Sequence, residues 1–97
     1  MSVSLSTHVL DTEDGRPAEG VQVELFHGDE RVAGGETGPD GRIPALGEEL
    51  EPGRYRLVFH PGSPYFHRIE LELELERGHH HVPLLVSSYA CTTYRGS

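Results

Sequence analysis

Apolar and polar residues alternate along much of this chain with a period of two, which is the repeat of a β-strand. The segment VQVELFH places Val21, Val23 and Leu25 on one face, and RIELELELER sets four apolar residues opposite glutamates. A helix would spread those leucines around its surface, whereas a strand collects them on one side. Leu and Glu favour helices intrinsically, but the neighbouring segments also alternate, so we predict a strand here.

Turn sequences separate the alternating segments at short intervals. EDGRPAEG, GPDGR and the Pro-Gly pair before RYRLVFH contain the residues that favour tight turns. VSLSTHVLD reads as a strand, and HHHVPLLVSSYACTTYR reads as two strands broken near Ser87 and Ser88. About six to eight short strands predict a two-sheet antiparallel sandwich. At most a single helical turn is expected, near GSPYFH.

Charge and cysteine content narrow the possible partners and location. The chain has 16 acidic and 8 basic residues, a formal net charge of −8, so we expect neither nucleic acid nor an anionic membrane as a partner. Cys91 is the only cysteine, which excludes a disulfide within the chain. The first residues do not have the features of a secretion signal, and no apolar run is long enough to span a membrane. We therefore expect a cytoplasmic protein.

Histidines are the most conspicuous candidates for chemistry, with 7 in the chain. In a strand, His79 and His81 would share a face while His80 points the other way. Two histidines on one face can bind a metal, but they are half of a usual ligand set, and exposed polar residues are the simpler interpretation. By position alone, His8 is an edge histidine and Arg42 a solvated turn arginine.

Longer motifs carry a family resemblance. LSTHVLDTEDGRPAEGVQVEL, TGPDGR, PGRYRLVFH and HHHVPLLVSSYACTTYRGS follow one another in the chain and together resemble the 5-hydroxyisourate hydrolases, transthyretin-like enzymes of urate breakdown. The middle motifs occur in many prealbumin-like modules. S-T-H-V-L-D, H-V-P-L-L and Y-R-G-S separate the hydrolases from the transthyretin hormone carriers. The resemblance implies one transthyretin-like domain over residues 1–97, an antiparallel β-sandwich of about seven to eight strands.

The resemblance also implies a reaction and a site. The family hydrolyses 5-hydroxyisourate to 2-oxo-4-hydroxy-4-carboxy-5-ureidoimidazoline by attack of water on a lactam carbonyl, with no cofactor and no metal. Matched motif by motif, the catalytic residues are His8, Arg42 and His81. The substrate-binding residues are Tyr94, Arg95, Gly96 and Ser97. The two catalytic histidines activate water and handle the proton of the departing nitrogen, in an order left open, while Arg42 stabilises negative charge.

Assembly and chain length are further implications. The family forms homotetramers whose active sites lie between dimers and are lined by the C-terminal residues. Its members usually have a longer segment, with a short helix, between VFHPGSP and YFHRIELELEL, so this connection is expected to be shortened here.

Two other functions stay open at this point. One is a non-catalytic carrier that holds a small ligand, and the other is a metal-binding protein using His79 and His81. The joint presence of His8, Arg42, His81 and the final tetrapeptide favours the hydrolase, because a carrier has no use for the whole set.

Overall fold

The computed structural model describes residues 2–96 and arranges them around nine β-strands. In chain order the strands are β1 (Val3–Asp11), β2 (Arg16–Pro17), β3 (Gln22–His27), β4 (Glu30–Glu36), β5 (Arg42–Leu50), β6 (Gly53–His60), β7 (Ile69–Leu75), β8 (Gly78–Val86) and β9 (Cys91–Thr93). Residues 61–68 form an irregular connection without the helical turn that the sequence allowed. Within residues 2–96 no helix is long and apolar enough to cross a membrane.

The strands form two sheets, which confirms the predicted β-sandwich. In the first sheet β1 is central, with β2 and β5 pairing along one edge, β8 along the other, and β9 beyond β8. The second sheet has the order β4-β3-β6-β7 and is antiparallel throughout. The pairing of β1 with β8 is parallel, from Val3 opposite Gly78 to Asp11 opposite Val86. Among the strand pairings of residues 2–96 this is the one that is parallel, and it positions the site described below.

The apolar faces of the two sheets meet in a continuous core. Leu5 and Leu84 from the first sheet and Leu25, Leu57 and Phe59 from the second have no exposed surface. Each such side chain contributes roughly 1.5–3 kcal/mol when it is removed from water. The predicted strand of alternating Leu and Glu is β7, whose glutamates are exposed.

The strand period divides the polar residues of β1 and β8 between the core and the outer surface. Thr7 and His80 face inward and are buried. Thr7 Oγ1 donates to the Val82 carbonyl at 2.6 Å, and His80 Nε2 donates to the Glu76 carbonyl at 2.8 Å. These bonds satisfy both side chains within the fold, so the residues of opposite parity, on the outer face of the first sheet, are the ones available for chemistry.

Candidate active site

The register of three neighbouring strands brings the predicted catalytic residues together. His8 in β1 lies opposite Arg42 in β5, and Ser6, two residues before His8, lies opposite His81 in β8. Directly opposed residues project from the same face of a sheet, as do residues two apart in one strand. His8, Arg42 and His81 therefore share the outer face of the first sheet, although they are far apart in the sequence.

A tight turn before β5 fixes His8 and Arg42. Nε2 of His8 lies 2.8 Å from the Asp40 carbonyl oxygen, and because a carbonyl only accepts, Nε2 must carry the hydrogen. When His8 is neutral, its lone pair is then on Nδ1. Asp40 Oδ1 accepts the backbone N–H of Arg42 at 3.0 Å. Gly41 has a φ of 76°, and a Cβ there would lie 2.5 Å from the Val9 carbonyl oxygen, so this turn requires glycine.

The surroundings of His81 disfavour its charged form. Partial burial, the guanidinium of Arg42 and the nearby His8 and His79 all lower the pKa of His81 from its ordinary value. Burial makes the largest contribution. An imidazole of lowered pKa is neutral at pH 7 and can accept a proton.

Two serines and a third histidine adjoin His81. Ser6 Oγ lies 2.8 Å from Nδ1 of His81 and 2.8 Å from Nε2 of His79. Ser4 Oγ lies 2.7 Å from Nδ1 of His79. Sequence reasoning missed both serines. The available signal was that Ser4 and Ser6 precede His8 with the same period of two that relates His79 and His81.

The last described residue of the chain lies across His81. After β9 the chain continues beside β8, and Gly96 forms an antiparallel bridge with His81 in which its N–H donates to the His81 carbonyl at 2.7 Å. A Cβ on Gly96 would lie 2.7 Å from Cδ2 of the His81 ring. The tail of the chain, residues 94–96, therefore contacts His81 through Gly96. Ser97, predicted to bind substrate, lies outside the described residues.

Tyr94 and Arg95 are placed differently. They line a cavity of about 370 Å³ at the open edge of the sandwich, together with core-facing residues that include Leu75 and Val82. Tyr94 is 57% exposed. Of residues 94–96, Gly96 is the one that bonds His81, so the structure brings only part of the predicted tetrapeptide to the histidines.

In the part of the chain that the structure describes, no third ligand joins His79 and His81 to form a metal site. Residues 2–96 contain no group of three or more His, Cys, Asp or Glu side chains arranged to hold a metal ion. His79 and His81, the two candidate ligands, both contact the hydroxyl of Ser6.

Comparison with known proteins gives a match to one family over most of the chain. Residues 5–96 match the family model described as HIUase/Transthyretin family. The 5-hydroxyisourate hydrolase of Salmonella dublin is 40% identical over 109 aligned positions, which cover 96% of this chain and 80% of that protein. Because the alignment is longer than this 97-residue chain, the relative has segments that this chain lacks.

Solved structures agree with this match. The 5-hydroxyisourate hydrolase of Klebsiella pneumoniae superposes with a TM-score of 0.91 at 37% identity, with all of both chains covered. Sea bream transthyretin superposes with a TM-score of 0.83 at 24% identity, over 95% of this chain and 93% of its own. The second likeness extends to the fold alone.

Proposed function

This chain belongs to the HIUase/Transthyretin family, and we propose that it is a 5-hydroxyisourate hydrolase. The observation that carries the proposal is the convergence of His8, Arg42 and His81 on one face, through strand pairings that join distant parts of the sequence. The near full-length similarity to proteins named as 5-hydroxyisourate hydrolases supports the substrate. The enzyme opens a lactam ring with water to give 2-oxo-4-hydroxy-4-carboxy-5-ureidoimidazoline.

His81 is the group we assign to water activation. In the reaction, water adds to the lactam carbonyl carbon, the carbon–nitrogen bond of the ring breaks, and the departing nitrogen gains a proton. A base must be unprotonated to start this sequence, and the lowered pKa of His81 meets that requirement. Its Nδ1 is engaged by Ser6, and within residues 2–96 its Nε2 has no hydrogen-bond partner, which leaves Nε2 for the water.

His8 and Arg42 are assigned the complementary roles. Because the Asp40 carbonyl holds Nε2–H of His8, Nδ1 is the atom that serves the departing nitrogen: it takes up a proton from solvent and passes that proton to the nitrogen as the ring bond breaks. A guanidinium group carries several N–H donors in a fixed plane, and Arg42 presents them to the oxyanion that forms on the carbonyl. Loss of one such donor typically slows the chemical step by about 10²–10³-fold.

Substrate binding by the tail and assembly into a homotetramer complete the proposal. Another copy of the chain, packed on the outer face over His8, Arg42 and His81, would shield the reacting groups from bulk water and so strengthen the electrostatic interactions among them. It would also give Tyr94, Arg95 and Ser97 a second surface on which to meet the substrate. Light scattering together with activity measured on dilution tests this part, and full activity in a monomer would refute it.

We also propose a cytoplasmic location for the enzyme. The single cysteine, Cys91, is exposed and unpaired, and a reducing compartment keeps such a thiol from oxidising. Fractionation of cells followed by detection of the protein tests this assignment.

The decisive experiment measures the reaction directly. Urate oxidase generates 5-hydroxyisourate from urate, and the ultraviolet signal of the product then decays at its spontaneous rate. The protein should accelerate this decay, and His81→Ala and Arg42→Ala should each remove most of the acceleration. His67→Ala is the matched control, because His67 is exposed and lies in the connection between β6 and β7. A wild-type protein that leaves the spontaneous rate unchanged would favour a non-catalytic carrier.

A further inference from the structure

Four side chains on the outer face of the first sheet form an unbroken line of hydrogen bonds that ends at His81. The line runs from Ser4 Oγ to the two ring nitrogens of His79, on to Ser6 Oγ, and then to Nδ1 of His81, with each step between 2.7 and 2.8 Å. At one end of the line His79 is exposed and Ser4 is half-buried, whereas Ser6 is 7% exposed. The line therefore connects solvent with the half-buried base.

Donor counting allows the hydrogen bonds of this line two opposite directions. A serine hydroxyl has one hydrogen to donate, and a neutral imidazole has one N–H and one accepting nitrogen. If Nδ1 of His81 donates to Ser6, then the Ser6 hydroxyl can donate to Nε2 of His79, and Nδ1–H of His79 donates to Ser4. In the reversed arrangement each hydrogen points the other way, and His81 carries its hydrogen on Nε2. The two arrangements contain the same atoms and differ only in which tautomer of His81 they hold.

The proposed function selects one of these arrangements for the resting enzyme. With Nε2 of His81 as the atom that takes a proton from water, we propose that Ser6, His79 and Ser4 hold His81 as its Nδ1–H tautomer and then carry a proton from His81 to solvent. This inference rests on the proposed function. It makes Ser6 the positioning residue of the base and gives His79 a task other than metal binding.

The proton balance of the relay is complete. As the water oxygen bonds to the lactam carbon, one water proton moves to Nε2 of His81. Nδ1–H of His81 passes its proton to Ser6 Oγ, the Ser6 hydroxyl proton moves to Nε2 of His79, and Nδ1–H of His79 passes its proton to Ser4, whose own proton leaves to solvent. Every imidazole ends neutral, the line is left in its reversed arrangement, and the negative charge of the addition step lies on the substrate oxyanion beside Arg42.

Nitrogen-15 NMR of histidine-labelled protein tests the arrangement without substrate. The ring shifts of His81, assigned from the His81→Gln spectrum, should be those of the Nδ1–H tautomer in the wild type. They should move toward the Nε2–H tautomer in Ser6→Ala. An Nε2–H tautomer in the wild type, or shifts unchanged by Ser6→Ala, would overturn the proposal. Because these shifts are measured without turnover, a wild type with no hydrolase activity would refute the proposed function by a separate result.

Kinetics test the relay. Ser6→Ala should lower kcat by roughly 10- to 100-fold, part of the contribution that acid–base catalysis makes, with little change in KM. Ser6→Thr keeps the hydroxyl and should recover most of kcat. His79→Gln can still accept from Ser6 but cannot pass a proton through a ring, and it should also be slow. Ser2→Ala is the matched control, because Ser2 is exposed, has the same parity in the chain, and precedes the line. A kcat equal to that of Ser2→Ala in either Ser6→Ala or His79→Gln would overturn the relay.

Discussion

Substituting Gly96 by alanine tests whether the tail of the chain belongs to the site. A Cβ at this position would lie 2.7 Å from Cδ2 of His81, 3.2 Å from the His81 carbonyl oxygen and 3.3 Å from the His81 Cβ. Rotation of the ring relieves only the first of these contacts, because the other two atoms are fixed to β8. The tail of Gly96→Ala must therefore move away from His81.

The size of the effect follows from what holds the tail in place. The described contact includes one backbone hydrogen bond, from Gly96 N–H to the His81 carbonyl at 2.7 Å, and such a bond contributes about 0.5–1.5 kcal/mol. We call the tail docked when Gly96 lies against His81. Losing this hydrogen bond lowers the ratio of docked to undocked tail by about twofold to about tenfold. If catalysis requires the docked tail, kcat/KM follows the docked fraction and falls by up to the same factor. The melting temperature should fall by no more than about 12 °C, since about 1 kcal/mol corresponds to a shift of about 4–8 °C in a domain of this size and at most about 1.5 kcal/mol is lost.

The assay is the accelerated ultraviolet decay of 5-hydroxyisourate, with thermal unfolding followed by circular dichroism. Gly35→Ala is the control, because the added Cβ would meet only Ile43 side-chain carbons at an ordinary 3.7 Å. Wild-type kcat/KM in Gly96→Ala would refute the involvement of the tail. A melting temperature lowered far beyond that of Gly35→Ala would show instead that the tail supports the fold.

Three further predictions extend the test to pH, stability and the end of the chain. Since the pKa of His81 is lowered, the imidazole stays neutral on acidification until the pH passes below the ordinary value of 6.5, so the acid limb of kcat/KM should lie below that pH. Arg42→Gln should move this limb to higher pH, and an unmoved limb would exclude His81 as the base. Leu57→Ala removes a fully buried side chain from the second sheet and should cost about 2–5 kcal/mol in urea unfolding, while kcat of the folded protein is unchanged. Deletion of residues 94–97, or an added C-terminal tag, should lower kcat/KM at least as much as Gly96→Ala with little change in melting temperature; full turnover in both would contradict a role for the tail.

The strands could be predicted from the sequence because burial imposes a period that is visible locally. In β7 the leucines face the core and the glutamates face water, so the alternation outweighs the helix propensity of both residue types. The splitting of the histidine triplet followed from the same rule, with His80 buried and its two neighbours on the outer face. The irregular path of residues 61–68 was not predictable in this way, because the segment has no apolar period and contains two prolines.

Strand pairing determines which residues come together in the site, and no local sequence pattern encodes that pairing. His8, Arg42 and His81 could be predicted only through resemblance, since each alone has an ordinary structural explanation. The positions of Tyr94 and Arg95 along the cavity beside Val82 follow from the path of the tail beyond β9, which the tetrapeptide sequence does not specify. Residues whose roles come from contacts between distant strands are therefore the ones that local sequence patterns miss.

The parallel pairing of β1 with β8 explains why the missed residues are serines. In this register Ser4 lies opposite His79 and Ser6 opposite His81, so two small hydroxyl residues face two imidazoles across one strand spacing. A hydroxyl both donates and accepts, which allows Ser6 to contact both rings at 2.8 Å. A shift of the pairing by one residue would place Leu5 or Thr7, which face the core, opposite His81. The register that buries the core of the first sheet thus also assembles the hydrogen bonds around the proposed base.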